Sequence, residues 1–166
     1  MKRGEVILTI ILGLLILLVL ARLTTPREID DINPNWTCEG NYLQKADIIW
    51  VTPLKNNVPI SNNQTWCEEI LAMNKTIGMH GIYHSYHEFK YFVNETELQK
   101  GKEIFNDCFG YEPTLFKPPY LRLSLENKKL LEQNNLTIKW IWNQNIHKVY
   151  HCENTGVFPN WFHDLF

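Results

Sequence analysis

One stretch decides how this chain is interpreted, and it reads Thr76-Ile77-Gly78-Met79-His80-Gly81-Ile82-Tyr83-His84-Ser85-Tyr86-His87-Glu88-Phe89. Its first part, 76–82, is a short apolar run typical of a buried strand, and it leads directly into three of the six histidines. Neutral imidazole and carboxylate are the ligands that hold zinc and similar divalent ions. The stretch therefore predicts a metal site at a strand end. Since such a site activates water, hydrolysis is the leading hypothesis.

Outward from this stretch, strand and helix patterns alternate. Apolar or β-branched runs predict strands at 27–32, 46–51, 114–117, 136–142, 148–152 and 157–162. Amphipathic spacing predicts helices at 63–73, 95–109 and 124–133, with Ser61 or Asn62 and then Ser124 as N-caps and Gly110 as a stop. Such alternation is typical of an α/β fold with parallel strands, whose functional groups lie at the C-terminal ends of the strands. Residues expected at those ends are Asp30, Asp31, His80, Pro118, Pro119, Tyr120 and His163.

The N-terminus predicts a single membrane helix. Val6–Ala21 carries no charged side chain, and its length is at the short edge of the roughly 17 to 25 residues that a span needs. We expect residues 1–5 in the cytoplasm, 6–23 as a transmembrane signal anchor, and 24–166 as an exported domain at the cell membrane. A signal peptide cut after Ala21, and hence secretion, is the alternative, but no clear small-x-small cleavage site is present.

Two further features agree with export. Glycosylation acceptor motifs occur five times, at Asn35, Asn63, Asn74, Asn94 and Asn135. Four cysteines outside the apolar run predict two disulfides, with three possible pairings, although four free buried thiols are an alternative. The net charge of −2 and the lack of a basic cluster argue against a nucleic-acid partner. Abundant tryptophan and tyrosine are compatible with a carbohydrate ligand.

The histidines allow more than one interpretation. The spacing of His80 and His84 is that of zinc proteases, but Gly81 stands where those enzymes carry their glutamate, which disfavours a metalloprotease. His87 as a third ligand in place of Asp31, with Glu88 as base, is a lesser alternative to a surface loop. Packing or surface exposure is expected for His147 and His151, and core packing for Trp140 and Trp142. Tyr83 and Tyr86 flank the candidate ligands.

The acidic doublet Asp30-Asp31 offers one carboxylate to ligate a metal and another to face its water. Together with His80-x-x-x-His84, Phe116-Lys117-Pro118-Pro119-Tyr120 and Phe162-His163-Asp164, it resembles in order the motifs of the polysaccharide deacetylase (NodB-homology, carbohydrate esterase 4) superfamily. Residues 77–89 are especially similar to its uncharacterised DUF2334 branch. The resemblance implies an irregular or reduced (β/α) barrel with parallel strands, because about 140 residues are few for a closed barrel of about 250.

The resemblance also implies roles for individual residues. Asp31, His80 and His84 would hold a divalent metal, with zinc expected, and Asp30 would be the general base. Tyr120 would lend its backbone N–H to the oxyanion, and His163 would protonate the leaving group. Lys117 replaces the family's usual arginine beside the base.

The implied activity is removal of N- or O-acetyl groups from a cell-surface glycan. A non-catalytic, membrane-anchored protein that keeps a degenerate deacetylase fold and binds glycan is the alternative.

Overall fold

The computed structural model describes residues 3–139 and 144–165. It begins with helix α1 (Arg3–Thr24), whose leucine and isoleucine side chains are exposed along most of its length. Its 22 residues span about 33 Å at 1.5 Å per residue, which is long and apolar enough to cross a membrane. The predicted N-terminal apolar helix is therefore confirmed.

Parallel strands form the main sheet. The described residues contain the strands β1 (Glu28–Ile32), β2 (Ile48–Val51), β3 (Leu54–Lys55), β4 (Val58–Pro59), β5 (Thr76–His80), β6 (Leu115–Lys117), β7 (Thr137–Ile138) and β8 (Val149–His151). Six of them make one sheet in the order β7-β6-β5-β2-β1-β8, while β3 and β4 form a separate antiparallel hairpin. All pairings in the large sheet are parallel, so the predicted α/β class is confirmed.

The strand order is that of a barrel opened between its last two strands. Starting from β8, the neighbours β1, β2, β5, β6 and β7 follow in chain order. Within the described ranges, β7 and β8 do not pair with each other. Within residues 3–139 and 144–165, the expected reduction of the barrel is visible as six parallel strands in place of the usual eight. The distal part of the strand predicted at 136–142, with Trp140 and Trp142, lies outside the described residues.

Helices α2 (Tyr42–Lys45), α3 (Gln64–Ala72), α4 (Glu95–Phe109) and α5 (Leu125–Gln133) lie between the strands. Their ends follow from local chemistry. Ser124 caps α5 through the Asn127 N–H, and Gly110 ends α4 at a φ of 75°, as predicted. The predicted caps of α3 are wrong by one position or more, because the side chain of Asn63 accepts the Trp66 N–H.

The strand predicted at 157–162 is wrong. A 3₁₀ helix, Asn160–Asp164, follows Pro159 instead. The reason is the Asn160 side chain, whose Oδ1 accepts from His151 N at 2.9 Å and whose Nδ2 donates to His151 O at 2.7 Å. This amide makes the two hydrogen bonds that a neighbouring strand would make to β8, so no strand is needed there.

Two disulfides close the domain, which confirms the predicted number and excludes the free-thiol alternative. Cys38 pairs with Cys152 across 114 residues, and Cys67 pairs with Cys108 across 41. By the loop-entropy model each stabilises the fold by roughly 4 to 5 kcal/mol. The first pair fixes the segment after β1 to the end of β8, next to the C-terminal edge of the sheet. The second joins α3 to α4 over the apolar core.

Candidate metal-dependent active site

The C-terminal edge of the sheet carries the predicted site residues. Asp30 and Asp31 lie near the end of β1, and His80 and Lys117 are the last residues of β5 and β6. His84 and Tyr120 follow a few residues after β5 and β6. One cavity of about 480 Å³ is lined by six of the predicted residues, namely Asp30, Asp31, His80, His84, Lys117 and Tyr120. Six of the seven residues assigned from the sequence are therefore brought together.

The acidic doublet faces the cavity because β1 is irregular there. Asp31 has a φ of 65°, and the register with β2 shifts between Ile29 and Ile32. In a regular strand, successive side chains point to opposite faces, whereas a bulge re-aims one of them. Both carboxylates are consequently buried and line the same cavity.

Three potential metal ligands converge beside the doublet. The Oδ1 of Asp31 lies 2.8 Å from His84 Nε2 and 3.4 Å from His80 Nε2, and the three ligand atoms lie within 4.8 Å of one another. Ligands about 2.0 to 2.1 Å from a tetrahedral ion stand about 3.4 Å apart. Asp31 Oδ1 is buried yet makes no well-formed hydrogen bond within the described residues. An orphaned carboxylate oxygen facing two imidazole nitrogens fits a divalent cation.

Neighbouring groups orient these ligands. His80 Nδ1 donates to the carbonyl of Lys117 at 2.9 Å, so the lone pair of Nε2 faces the site. The second oxygen of Asp31 lies 3.0 Å from His151 Nδ1 and accepts from Thr155 Oγ1 at 3.4 Å, which leaves Oδ1 for a metal. Burial alone would raise the pKa of Asp31. The hydrogen bond from His151 and the adjacent His80 and His84 imidazoles instead hold that pKa well below its usual range.

Glu88 shapes the loop that presents His84. Its carboxylate accepts the backbone N–H groups of Ile82, Tyr83 and His84 at 3.1 to 3.4 Å. Burial raises the pKa of Glu88 above its usual value despite these bonds. Gly81 makes the turn possible, with a φ of 65° and Glu88 Oε2 only 2.7 Å from where a Cβ would lie. Glu88 is therefore a support of the loop, neither a surface residue nor the base considered in the alternative.

Asp30 has a different environment from Asp31. Lys117 Nζ donates to Asp30 Oδ1 at 2.7 Å and to Glu28 Oε2 at 2.8 Å, and Trp50 Nε1 also donates to Glu28 at 2.8 Å. Burial opposes ionisation, but Lys117 lowers the pKa of Asp30, and the two carboxylates raise that of Lys117. Asp30 is thus held as an anion, with Oδ2 3.9 Å from His80 Nε2.

Glu28 was not predicted from the sequence to belong to the site. It is 3% exposed, and it holds Lys117 in place. The signal was available, because residues two apart in a strand share a face and Glu28 is two residues before Asp30. Lys117, which stands where the family usually has arginine, is therefore a buried lysine shared by two carboxylates.

Tyr120 lies in a turn with left-handed backbone (φ 55°, ψ 13°) beside the ligands, and its ring centroid is 5.5 Å from that of His84. Its neighbours Leu121 and Arg122 donate their N–H groups back to Pro118 and Pro119. Among the described residues, the Tyr120 N–H makes no hydrogen bond. The mouth of the cavity is aromatic, since the rings of Tyr86 and His87 stack at 3.9 Å and both lie near Tyr120.

His163 does not belong to this cavity. It is fully buried in the 3₁₀ helix Asn160–Asp164, where Nδ1 accepts from Arg22 at 3.0 Å. Burial and the cation lower the pKa of His163 to about 4. The histidine beside Asp31 is His151, for which packing or surface exposure was expected. Burial alone would lower the pKa of His151, but the hydrogen bond to Asp31 raises it overall. The error follows from the strand wrongly predicted at 157–162.

Comparison with known proteins supports the fold. No family model and no curated protein matches the sequence. Among solved structures, a mutant of the CE4 family pseudoenzyme BA3943 is 15% identical over 75% of this chain, with a TM-score of 0.52. The wild-type form from Bacillus anthracis is likewise 15% identical over 75%, with a TM-score of 0.51. The polysaccharide deacetylase Bc1974 from Bacillus cereus is 15% identical over 63% of this chain and 64% of its own, with a TM-score of 0.46.

The chain spans about half the length of the two BA3943 structures, 55% and 53%. None of these similarities bears on the DUF2334 branch, which stays a prediction. The parallel sheet, the strand order and the likeness to the two BA3943 structures lead to one conclusion: the chain has the α/β fold of the CE4 deacetylases.

Proposed function

We propose that this chain is a membrane-anchored, metal-dependent hydrolase that removes N- or O-acetyl groups from a cell-surface glycan. The observation that carries the proposal is the meeting of Asp31, His80 and His84 beside a second, lysine-paired carboxylate. In this proposal α1 is a single membrane span and the chain that follows it is outside the cell.

Asp31, His80 and His84 would hold a divalent cation, for which zinc suits the donor set. When bound, such a cation polarises an acyl oxygen and acidifies water. Asp30 is the candidate base, because Lys117 keeps it ionised and the cavity exposes it next to the ligands. The Tyr120 N–H is the candidate donor to the acyl oxygen as negative charge develops there.

We assign the acid role to His151 in place of His163. Its Nδ1 is occupied by Asp31, so Nε2 is the ring nitrogen that remains to protonate a leaving amine or alkoxide. The raised pKa of His151 favours the protonated form that an acid needs. Base and acid would then stand on either side of Asp31, as general acid–base catalysis requires.

A glycan substrate is supported by the rim of the cavity. Tyr86 is 71% and Tyr120 is 53% exposed, and both line the mouth. Exposed aromatic rings with a hydroxyl tip offer an apolar face to a sugar ring and a hydrogen bond to its hydroxyl groups. These two rings would position the sugar that carries the acetyl group.

Two variants test the proposal in the detergent-solubilised full chain. His80→Ala should abolish stoichiometric zinc binding, whereas Asp30→Asn should retain zinc and lose roughly 10² to 10⁴ in rate on acetylated glycans. Acetate release and bound zinc are measured on the same samples. Retention of one equivalent of zinc by His80→Ala would dismiss the site.

A second function is favoured by the likeness to BA3943, which is described as a CE4 family pseudoenzyme. In this alternative the fold is kept, the site is inactive and the aromatic rim binds glycan. Wild-type protein that retains zinc and binds glycan, yet releases no acetate from any acetylated glycan tested, would favour this alternative.

A further inference from the structure

The last turn of α1 is fixed to the exported domain by Arg22. Its Nη1 donates to the carbonyl of Gln144 at 2.8 Å, with those of Asn145 and His147 at 3.4 and 3.3 Å. Its Nη2 donates to His163 Nδ1 at 3.0 Å. Arg22 is only 5% exposed, so the helix enters the domain through a buried contact and not through a free linker.

The position of Arg22 along the chain sets its depth in a membrane. The apolar run 6–21 ends at the residue before it, and its 16 residues make only about 24 Å of helix, so the whole run is needed to cross a hydrocarbon core of about 30 Å. The guanidinium therefore lies where hydrocarbon gives way to headgroups. Since the 3₁₀ helix Asn160–Asp164 supplies His163 to this cation, that segment must lie at the same depth.

Exposed apolar side chains occur on this segment and directly after it. Trp161 is 58% exposed and Leu165 is 60% exposed, while Phe162 lies under the guanidinium of Arg22 at 6.0 Å. Indole rings concentrate at membrane–water interfaces because one end is apolar and the N–H remains hydrated. Lys148 is close enough to Arg22 and Arg27 to interact with them electrostatically, and this group of cations suits a surface of phosphate headgroups.

We propose that Trp161 and Leu165 insert into the bilayer interface and form a second membrane contact beside α1. The inference rests on the proposed anchoring by α1 and is independent of the proposed chemistry. The domain is thereby held against the lipid surface in one orientation, with Arg22 as the fixed point.

Quenching by brominated lipid tests this contact. The full chain is placed in phosphatidylcholine nanodiscs with or without bromine near the headgroup end of the acyl chains, and tryptophan emission is compared. Trp161→Phe should lose most of the bromine-dependent quenching seen in the wild type. Trp66→Phe is the matched control, because Trp66 packs on Phe109 between α3 and α4 and should leave the quenching unchanged.

An alkaline carbonate wash of membranes separates the possible failures. Protein that stays in the membrane, with equal quenching in wild type and Trp161→Phe, would overturn the interface contact and leave the anchor standing. Protein released by the wash would overturn the anchor and the contact together. Retention with quenching that depends on Trp161 supports the inference.

Discussion

Two buried cations, near opposite ends of the parallel strands, are stabilised in different ways. Lys117, at the C-terminal edge, contacts the carboxylates of Glu28 and Asp30 at 2.8 and 2.7 Å. Arg22, beside the loop that precedes β8, contacts carbonyl oxygens and the ring of His163, and the described residues place no carboxylate in an ion pair with it. The first cation maintains the charge of a candidate base, whereas the second joins the apolar helix α1 to the domain. The difference can be tested by removing each cation.

The largest loss of unfolding free energy is expected for Lys117→Met. Loss of the ammonium leaves two buried carboxylates without their cation, and breaking a buried pair in this way costs about 3 to 5 kcal/mol. Guanidinium unfolding of the detergent-solubilised chain measures the change. Lys128→Met is the control, because Lys128 is exposed and its pair with Glu132 spans 3.7 Å at the surface. Equal unfolding midpoints for the two variants would contradict the role assigned to the buried pair.

A smaller loss of unfolding free energy is expected for Arg22→Ala. The carbonyl oxygens around Arg22 are neutral, so its removal leaves no unpaired buried charge. The expected loss of unfolding free energy is that of the hydrogen bonds, about 2 kcal/mol. The same unfolding experiment measures it, with Arg3→Ala at the exposed start of α1 as control. A loss as large as that of Lys117→Met would show that the two cations are not held differently.

Mild acid should destabilise the region around Arg22 before it affects the site. The pKa of His163 and that of His147 are lowered to about 4 by burial and by Arg22 and Lys117 nearby. The unfolded chain therefore takes up protons first, near pH 6.5, and stability falls as the pH drops from about 6.5 toward 4. We expect a loss of roughly 1 to 2 kcal/mol between pH 7 and pH 5.5.

The lysine–carboxylate pair also loses stability in acid, but in a lower pH range. The pKa of Asp30 is lowered, so its contribution is lost only as the pH falls below the usual value near 4. Urea unfolding of the apo chain across this range separates the two regions. His163→Gln should reduce the pH dependence of the unfolding free energy between pH 6.5 and pH 5. An unchanged slope in that variant would refute the assignment of this proton uptake to His163.

The smallest effect concerns the loop that carries His84. Glu88→Gln keeps one carbonyl oxygen for the N–H groups of residues 82–84 but loses the charge and one acceptor. Groups that orient a ligand typically change metal affinity by 10- to 100-fold, and we expect the low end, about tenfold. Zinc competition titration measures it, with exposed Glu95→Gln as control. A zinc affinity equal to that of the control would mean that the loop holds His84 without Glu88.

Much of the fold follows from the sequence because its signals are local. Ser124, Gly110 and the spacing of apolar residues in 95–109 act within one or two helical turns, so α4 and α5 were predicted correctly. The approach of Asp31 to His80 could be anticipated from strand ends that share one edge. The bulge at Asp31 and the left-handed turns at His84 and Tyr120 depend on long-range contacts that no local pattern encodes.

The errors have one physical origin. Residues 157–162 carry apolar and aromatic side chains that fit a strand by composition, but a single side chain, Asn160, takes over the strand's hydrogen bonds. His163 consequently turns toward Arg22, and His151 stands beside Asp31. Glu28 was overlooked because a charged residue at the start of a strand is usually solvated, whereas here Lys117 and Trp50 pair with it inside the domain.

The buried contact at Arg22 also limits how far the candidate site can lie from α1. Asp31 follows nine residues after Arg22, and a fully extended chain advances at most about 3.3 to 3.6 Å per residue. With α1 as the proposed anchor, the carboxylates of the candidate site would therefore lie no more than about 30 Å from the lipid headgroups. Under the proposed function, only sugars in the innermost layer of the envelope, or sugars still attached to lipid, would come within reach, because the buried contact at Arg22 leaves no free tether between α1 and the domain.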